Sequence, residues 1–296
     1  MTDDFRSGFA ALVGRPNVGK STLLNGLVGE KLSIVTPRPQ TTRHRIIGIV
    51  NLPGAQIAFV DTPGLHNQTG RALNRAMNRT AATALDDADL VVLVVEALKW
   101  TTEDDLAVAR IVKSGRPSIA AVNKIDRVHP RERLLPYIAQ LATRHDFLAI
   151  VPISALKTDN VEDLKQTIGL HLPTAAAMFP EGEVTDRGLE FRVAEMIREK
   201  LTLELNQEVP YGIAVEVENM VEQDGQLAVD AAIWVDREGQ KPIVIGAKGE
   251  RLKRVGRSAR IALNDTLGKR LHLNLWVKVR ENWADNARAL KHLGLE

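Results

Sequence analysis

The pattern of apolar and polar positions changes character near residue 172. Before it, short apolar runs recur at 9–13, 45–50, 57–60, 90–95, 118–122 and 148–153. Runs such as Phe9-Ala10-Ala11-Leu12-Val13 read as buried strands, whereas Leu23, Leu24, Leu27 and Val28 recur at helical spacing. Alternation of this kind predicts an α/β domain with a mostly parallel sheet and helices on both faces. Prolines and small residues from Leu172-Pro173-Thr174 to Phe179-Pro180-Glu181-Gly182 then break the rhythm, as a linker would.

Beyond the break the periods are different. Leu189, Val193, Ile197 and Leu201 predict a helix over 188–205, and Ile213, Val215 and Val217 alternate with Glu216 and Glu218 as a half-buried strand. Leu227 to Val235 reads as its antiparallel partner across Asp224-Gly225, a helix follows Gly249, Leu271 to Val279 alternates again, and the tail from Asn282 is helical. The order helix–strand–strand–helix–helix–strand predicts a smaller α+β domain. The expected divisions are 1–172, a linker over 173–186, and 187–296. Trp234 and Trp276, in strands, are expected in the core; Trp283 is open between core and stacking.

Charge sharpens this division. The chain of 296 residues has a formal net charge of +2. Residues 241–280 hold eleven Lys and Arg against Glu250 and Asp265, a balance of +9, so the remainder carries −7. Such asymmetry points to a polyanion partner for the second domain. The absence of cysteine excludes disulfides and thiolate metal sites and favours a reducing, cytoplasmic setting. The start is acidic and polar, unlike a signal peptide, and the longest apolar stretch, Leu90 to Val95, is far too short for a bilayer.

Four strings carry the candidate chemistry. Gly14-Arg15-Pro16-Asn17-Val18-Gly19-Lys20-Ser21, followed by Thr22, fits G-x-x-x-x-G-K-[ST] between a strand and a helix. Its backbone N–H groups and the helix N-terminus would cradle phosphates, Lys20 would neutralise the outer ones, and Ser21 would ligate Mg²⁺. Asp61-Thr62-Pro63-Gly64 closes the next apolar run. Alone it is an ordinary turn; at a strand's C-terminal end, Asp61 can hold the Mg²⁺ shell and the Gly64 N–H can reach a γ-phosphate. In the loop Pro37-Arg38-Pro39-Gln40-Thr41-Thr42-Arg43, Thr42 is the preferred third Mg²⁺ ligand and Thr41 the alternative. Arg43 is read chiefly as solvated or facing a polyanion, with charge stabilisation in cis as the other reading.

Asn123-Lys124-Ile125-Asp126 follows the run Ile119 to Val122. The Asp126 carboxylate can accept from both the ring N–H and the exocyclic amine of guanine, and adenine offers neither donor there. Asn123 would tie this loop to the cradle, the Lys124 stem would lie along the base, and Ser154-Ala155-Leu156 would offer a backbone N–H to the guanine oxygen. A P-loop kinase, the rival enzyme class, has no use for such a base loop. In the second domain, Ile245-Gly246-Ala247-Lys248-Gly249 sets G-x-x-G between an apolar turn and the basic run Arg251, Lys253, Arg254 and Arg257. A tight loop of this kind can clamp single-stranded nucleic acid.

These motifs in this order, the loop Gln40-Thr41-Thr42-Arg43-His44-Arg45, and Ile197-Arg198-Glu199-Lys200 leading to Val209-Pro210-Tyr211 resemble the bacterial Era GTPases over nearly the whole chain. The resemblance implies an α/β P-loop GTPase domain followed by a type II K-homology (KH) domain with a C-terminal helix. It also implies a monomer that hydrolyses GTP to GDP, binds the 3′ end of 16S ribosomal RNA during 30S subunit assembly, and works in the cytoplasm with some inner-membrane association. Leu65 stands where many switch GTPases place a water-orienting glutamine. The likeness is therefore to slow GTPases with an apolar residue there, several of which recruit K⁺ through a cradle asparagine matched by Asn17.

Overall fold

The computed structural model describes residues 5–38, 41–63, 71–205, 212–223 and 225–295. They fall into two compact units, one built mainly from residues up to Asp186 and the other mainly from Arg187 onward.

In the first unit, β1 (Arg6–Val13), β2 (Ile46–Leu52), β3 (Ala55–Asp61), β4 (Leu90–Glu96), β5 (Ser118–Asn123) and β6 (Ala149–Pro152) form one sheet in the order β2-β3-β1-β4-β5-β6. All neighbours are parallel except β2 and β3. That pair is joined directly through Pro53-Gly54, with Gly54 at φ +80°, and so short a connection permits only a hairpin. The accompanying helices are α1 (Lys20–Val28), α2 (Ala72–Asp86), α3 (Thr102–Ser114), α4 (Leu134–Ala142) and α5 (Val161–His171). β4 is wholly buried from Leu90 to Val95, as its unbroken apolar run requires. Val91, Leu93 and Val95 pack with Ala107, Ile111 and Leu141, each of the Val, Leu and Ile side chains contributing about 1.5–3 kcal/mol by leaving water.

The proline-punctuated stretch after Leu172 lies along this unit. Thr174 bridges Arg6 at the start of β1 and Thr185 bridges Gly48, so the chain runs beside β2, the strand that would otherwise present an open edge. Gln56, inside β3 and buried, explains the hold: its amide N–H donates to the Phe179 carbonyl, and its oxygen accepts from the N–H groups of Met178 and Phe179. Phe179 also meets Phe9 edge to face. A buried amide satisfied on both sides anchors the segment more firmly than its composition suggests.

The second unit contains α6 (Leu189–Glu204), β7 (Ile213–Gln223), β8 (Gln226–Val235), α7 (Lys241–Ile245), α8 (Glu250–Leu267), β9 (Arg270–Val279) and α9 (Ala287–His292). Its sheet runs β7-β8-β9, antiparallel and then parallel. Val193, Ile197 and Leu201 of α6 and Val255, Ala259 and Leu263 of α8 cover one sheet face, meeting Ile213, Val229, Ala231, Ile233 and Val277. The stretch read as an apolar turn before Gly246 is the short helix α7, with Pro242 in its first turn, where a missing N–H does no harm.

Of the tryptophans, Trp276 departs from expectation. Trp276 is only half-buried: Leu271 and Val277 set the inward parity of β9, which turns Trp276 to the other face beneath Lys278. Trp283, left open by the sequence, is fully buried and its ring N–H donates to the Gly212 carbonyl. Trp234 is buried, as expected, although it faces away from α6 and α8, because His292 of α9 stacks on it.

Candidate functional site

The cradle lies between β1 and α1, and its glycines are dictated by crowding. A Cβ on Gly14 would stand 2.3 Å from the Val94 carbonyl oxygen, and one on Gly19 2.4 Å from the Asn123 amide nitrogen. Both residues also have φ in the range that side chains avoid, at +152° and +105°. Arg15, Pro16, Asn17 and Val18 form the loop between them, and Asn17 itself is left-handed at φ 62°. Lys20 and Ser21 open α1, with Thr22 behind them. The Lys20 amine is buried and donates to the carbonyls of Gly14 at 2.8 Å and Arg15 at 3.1 Å. Burial lowers its pKa, against the opposing charge of Asp61.

Asp61 ends β3 with no exposed surface. One carboxylate oxygen, Oδ2, accepts from the hydroxyls of Ser21 (2.8 Å), Ser33 (2.9 Å) and Thr42 (3.4 Å), while Ser21 and Thr42 meet at 2.8 Å. The other oxygen, Oδ1, is buried with no hydrogen bond among the described residues. Burial raises the Asp61 pKa, opposed by Lys20 and these hydroxyls. Of the two candidate threonines, Thr42 turns to this cluster, while the Thr41 hydroxyl donates to the Arg38 carbonyl. Arg43 is buried, which corrects its reading as a solvated side chain. Thr62 and Pro63 continue from Asp61 and are buried; Gly64 and Leu65 lie outside the described residues.

The base loop follows β5. Asn123 is the joint: its amide N–H donates to the Val18 carbonyl at 2.8 Å, and its oxygen accepts from the N–H groups of Lys124 (2.7 Å) and Ala155 (2.9 Å). Lys124, left-handed at φ 68°, donates to the Asn17 carbonyl at 2.8 Å. Ile125 is buried beneath the loop, and the half-buried Asp126 accepts from the Ser154 hydroxyl at 2.7 Å, leaving its second carboxylate oxygen available. Leu156, 70% exposed, completes the rim. Cradle, acid cluster and base loop thus share one end of the sheet, beyond the carboxyl ends of β1, β3 and β5.

Several residues here escaped sequence reading. Ser33 is one. Glu96, at the end of β4, is another: Arg15 approaches its Oε2 at 2.8 Å and Lys124 at 3.1 Å. Burial pushes the Glu96 carboxyl up, but the Lys124 and Arg15 hydrogen bonds and charges outweigh it, and the group titrates below its ordinary value. A lone acid closing an apolar run was the signal that singled out Asp61, and Glu96 carries the same one.

In the second unit, Gly246 (φ 75°), Lys248 (φ 50°) and Gly249 (φ 80°) shape the turn between α7 and α8. A Cβ on Gly246 would come within 2.6 Å of Arg251, whereas one on Gly249 would meet nothing. Ile245 is half-buried, Ala247 and Lys248 are exposed, and the Arg251 guanidinium is folded back onto the Ile243 carbonyl. Lys253 and Arg254 project outward with Glu250 and Glu204 as partners, and Arg257 is exposed one turn on. Exposed pairs of this kind are worth about 0–1 kcal/mol, so a phosphate can displace them.

The fold and its sites define a class: P-loop GTPases with a KH domain. Residues 9–124 match the family described as 50S ribosome-binding GTPase, and residues 208–284 match the KH domain. GTPase Era of Marinobacter nauticus is 49% identical over 98% of this chain and 95% of its own length, and that of Xanthomonas axonopodis pv. citri is 47% identical over 100% and 99%. The chain belongs to the Era family of GTPases. Two solved structures, each 39% identical and covering 98% of this chain and 99% of their own, superpose with TM-scores of 0.92 and 0.93. They are a variant of Aquifex aeolicus Era bound to GDP·AlF4⁻ and an Era in complex with MgGDPNP and nucleotides 1506–1542 of 16S ribosomal RNA.

Proposed function

We propose that this chain is a GTP-driven switch that binds the 3′ end of 16S ribosomal RNA during 30S subunit assembly. Gly14 to Thr22 hold the phosphates, Asp61 to Leu65 sense the third one, and Asn123 to Asp126 with Ser154 to Leu156 select guanine. The observation that carries this reading is Asn123, whose single amide joins the cradle at Val18 to both base loops. The RNA would lie on Ile245 to Gly249 with Arg251, Lys253, Arg254 and Arg257, supported by the near full-length likeness to the Era solved with such RNA.

The donor set suits Mg²⁺. Ser21, Thr42 and Asp61 offer hard oxygens, and the buried, unpartnered Asp61 Oδ1 is a polar atom in need of a cation or its water. Bound there, Mg²⁺ would neutralise charge on the outer phosphates. Lys20 would hold those phosphates, the Gly64 N–H would meet the third, and Thr42 would follow its presence, ordering or releasing its loop. With no glutamine at position 65, the intrinsic rate is slow, and Asn17, exposed at the loop's crest, is the K⁺ contact. In this reading the protein acts as a cytoplasmic monomer that associates peripherally with the inner membrane face. Among the described residues no helix is long and apolar enough to cross a membrane.

Multiple-turnover phosphate release tests this reading against a nucleotide kept only as a structural ligand. Release is expected, stimulated by the 16S 3′-end fragment and faster in K⁺ than in Na⁺ at equal ionic strength. Absence of turnover with RNA would refute the switch; a rate indifferent to the cation would remove only Asn17.

A further inference from the structure

We infer that Glu96 is a positioning residue that couples the phosphate cradle to the base loop and thereby sets how long a guanine nucleotide stays bound. The inference rests on the nucleotide-site reading and deepens it. One oxygen of Glu96 is met by Arg15 from the cradle and by Lys124 from the base loop, at 2.8 and 3.1 Å. The chain of contacts continues at both ends. Arg15 Nε lies 3.3 Å from Asp104 Oδ2, on a carboxylate with no exposed surface. Asp104 is held in turn by the N–H and hydroxyl of Thr101, each at 2.9 Å, in the first turn of α3. At the other end, Lys124 donates to the Asn17 carbonyl.

Asp104, Arg15, Glu96, Lys124 and Asn17 therefore form a line of alternating charge ending on the cradle backbone. Two features show what it restrains. Lys124 holds left-handed backbone without being glycine or asparagine, a conformation that persists where the surroundings fix it, and the Asn17 whose carbonyl it meets is left-handed as well. The four charges balance, so removing the Glu96 carboxylate leaves Arg15 and Lys124 facing one another with only Asp104 in compensation. Glu96 is itself well fixed, since its carbonyl accepts from the Tyr137 hydroxyl and the next residue's N–H donates to the Asn123 carbonyl. Asn123 links the two halves through uncharged hydrogen bonds; Glu96 supplies the charged link, which is the stronger kind.

The test uses the full chain with a fluorescent GDP and follows its release on chasing with unlabelled GDP. Glu96→Gln, nearly isosteric but uncharged, should release GDP about tenfold faster with its association rate little changed, since a loosened clamp acts on departure. Glu96→Asp, which keeps the charge but falls one methylene short of the two cations, should fall between Gln and the natural residue. Arg15→Gln should also accelerate release. The double variant Glu96→Gln, Arg15→Gln should be no faster than the faster single, because both break one link. Additive effects, or an unchanged release rate in both Glu96 variants, would overturn the inference. Asp126→Asn serves as the control: if it abolishes GDP binding while the Glu96 variants release normally, only the brace fails. If it has no effect, the nucleotide site itself is misplaced.

Discussion

Asp126→Asn should lose about 10⁴-fold in affinity for GDP and gain affinity for xanthosine diphosphate. The side chain sits at the base loop with one oxygen engaged by Ser154 and the other available. Guanine presents two donors to that carboxylate, the ring N–H and the exocyclic amine. An asparagine offers an amide N–H₂ in place of one acceptor, so a donor meets a donor and a buried polar pair goes unsatisfied. Xanthine carries a carbonyl where guanine has the amine, and that carbonyl accepts from the new amide. Because Asp126 is half-buried and the amide oxygen can still accept from Ser154, the fold should keep its melting temperature within a few degrees. Parallel titrations with GDP and xanthosine diphosphate read the result, and an undiminished GDP affinity would place the base elsewhere.

Gly249→Asp should weaken binding of the 16S 3′-end fragment by about 10–100-fold while leaving GTP affinity unchanged. A side chain at this position would enter open space, so the substitution costs backbone strain but no collision. Its backbone, at φ 80°, is one that aspartate adopts more readily than most residues. The new carboxylate would instead meet the RNA phosphates, on a surface where Lys248, Lys253, Arg254 and Arg257 are exposed. Gly246 is the wrong place for this experiment, since a Cβ there would collide with Arg251 and confound folding with binding. RNA affinity is best measured at two salt concentrations. A clamp on phosphates predicts a steeper salt dependence in the unaltered protein, and full RNA affinity in the variant would put the clamp outside this turn.

Residues speak for themselves in sequence when their chemistry depends on near neighbours. The strands of the first unit were legible because burial on both faces demands unbroken apolar runs, and Asp61 because an acid ends such a run. Where two candidates stood side by side, as with Thr41 and Thr42, only backbone direction could separate them. Trp276 shows a readable signal overlooked: the inward parity of its strand turns it to the opposite face. The Arg15–Glu96–Lys124 meeting and the seat of Phe179 on Gln56 join residues tens of positions apart, and no local pattern encodes such pairings. The burial of Arg43 belongs with them.

The most direct test of a nucleotide-driven RNA switch is the affinity of the unaltered protein for the 16S 3′-end fragment, measured with GDP and again with a non-hydrolysable GTP analogue. A third phosphate that draws in Thr42 and orders its loop should make the RNA bind several-fold tighter in the GTP-like state. Equal affinities in the two states would mean that the nucleotide does not control the RNA, and the account would fail.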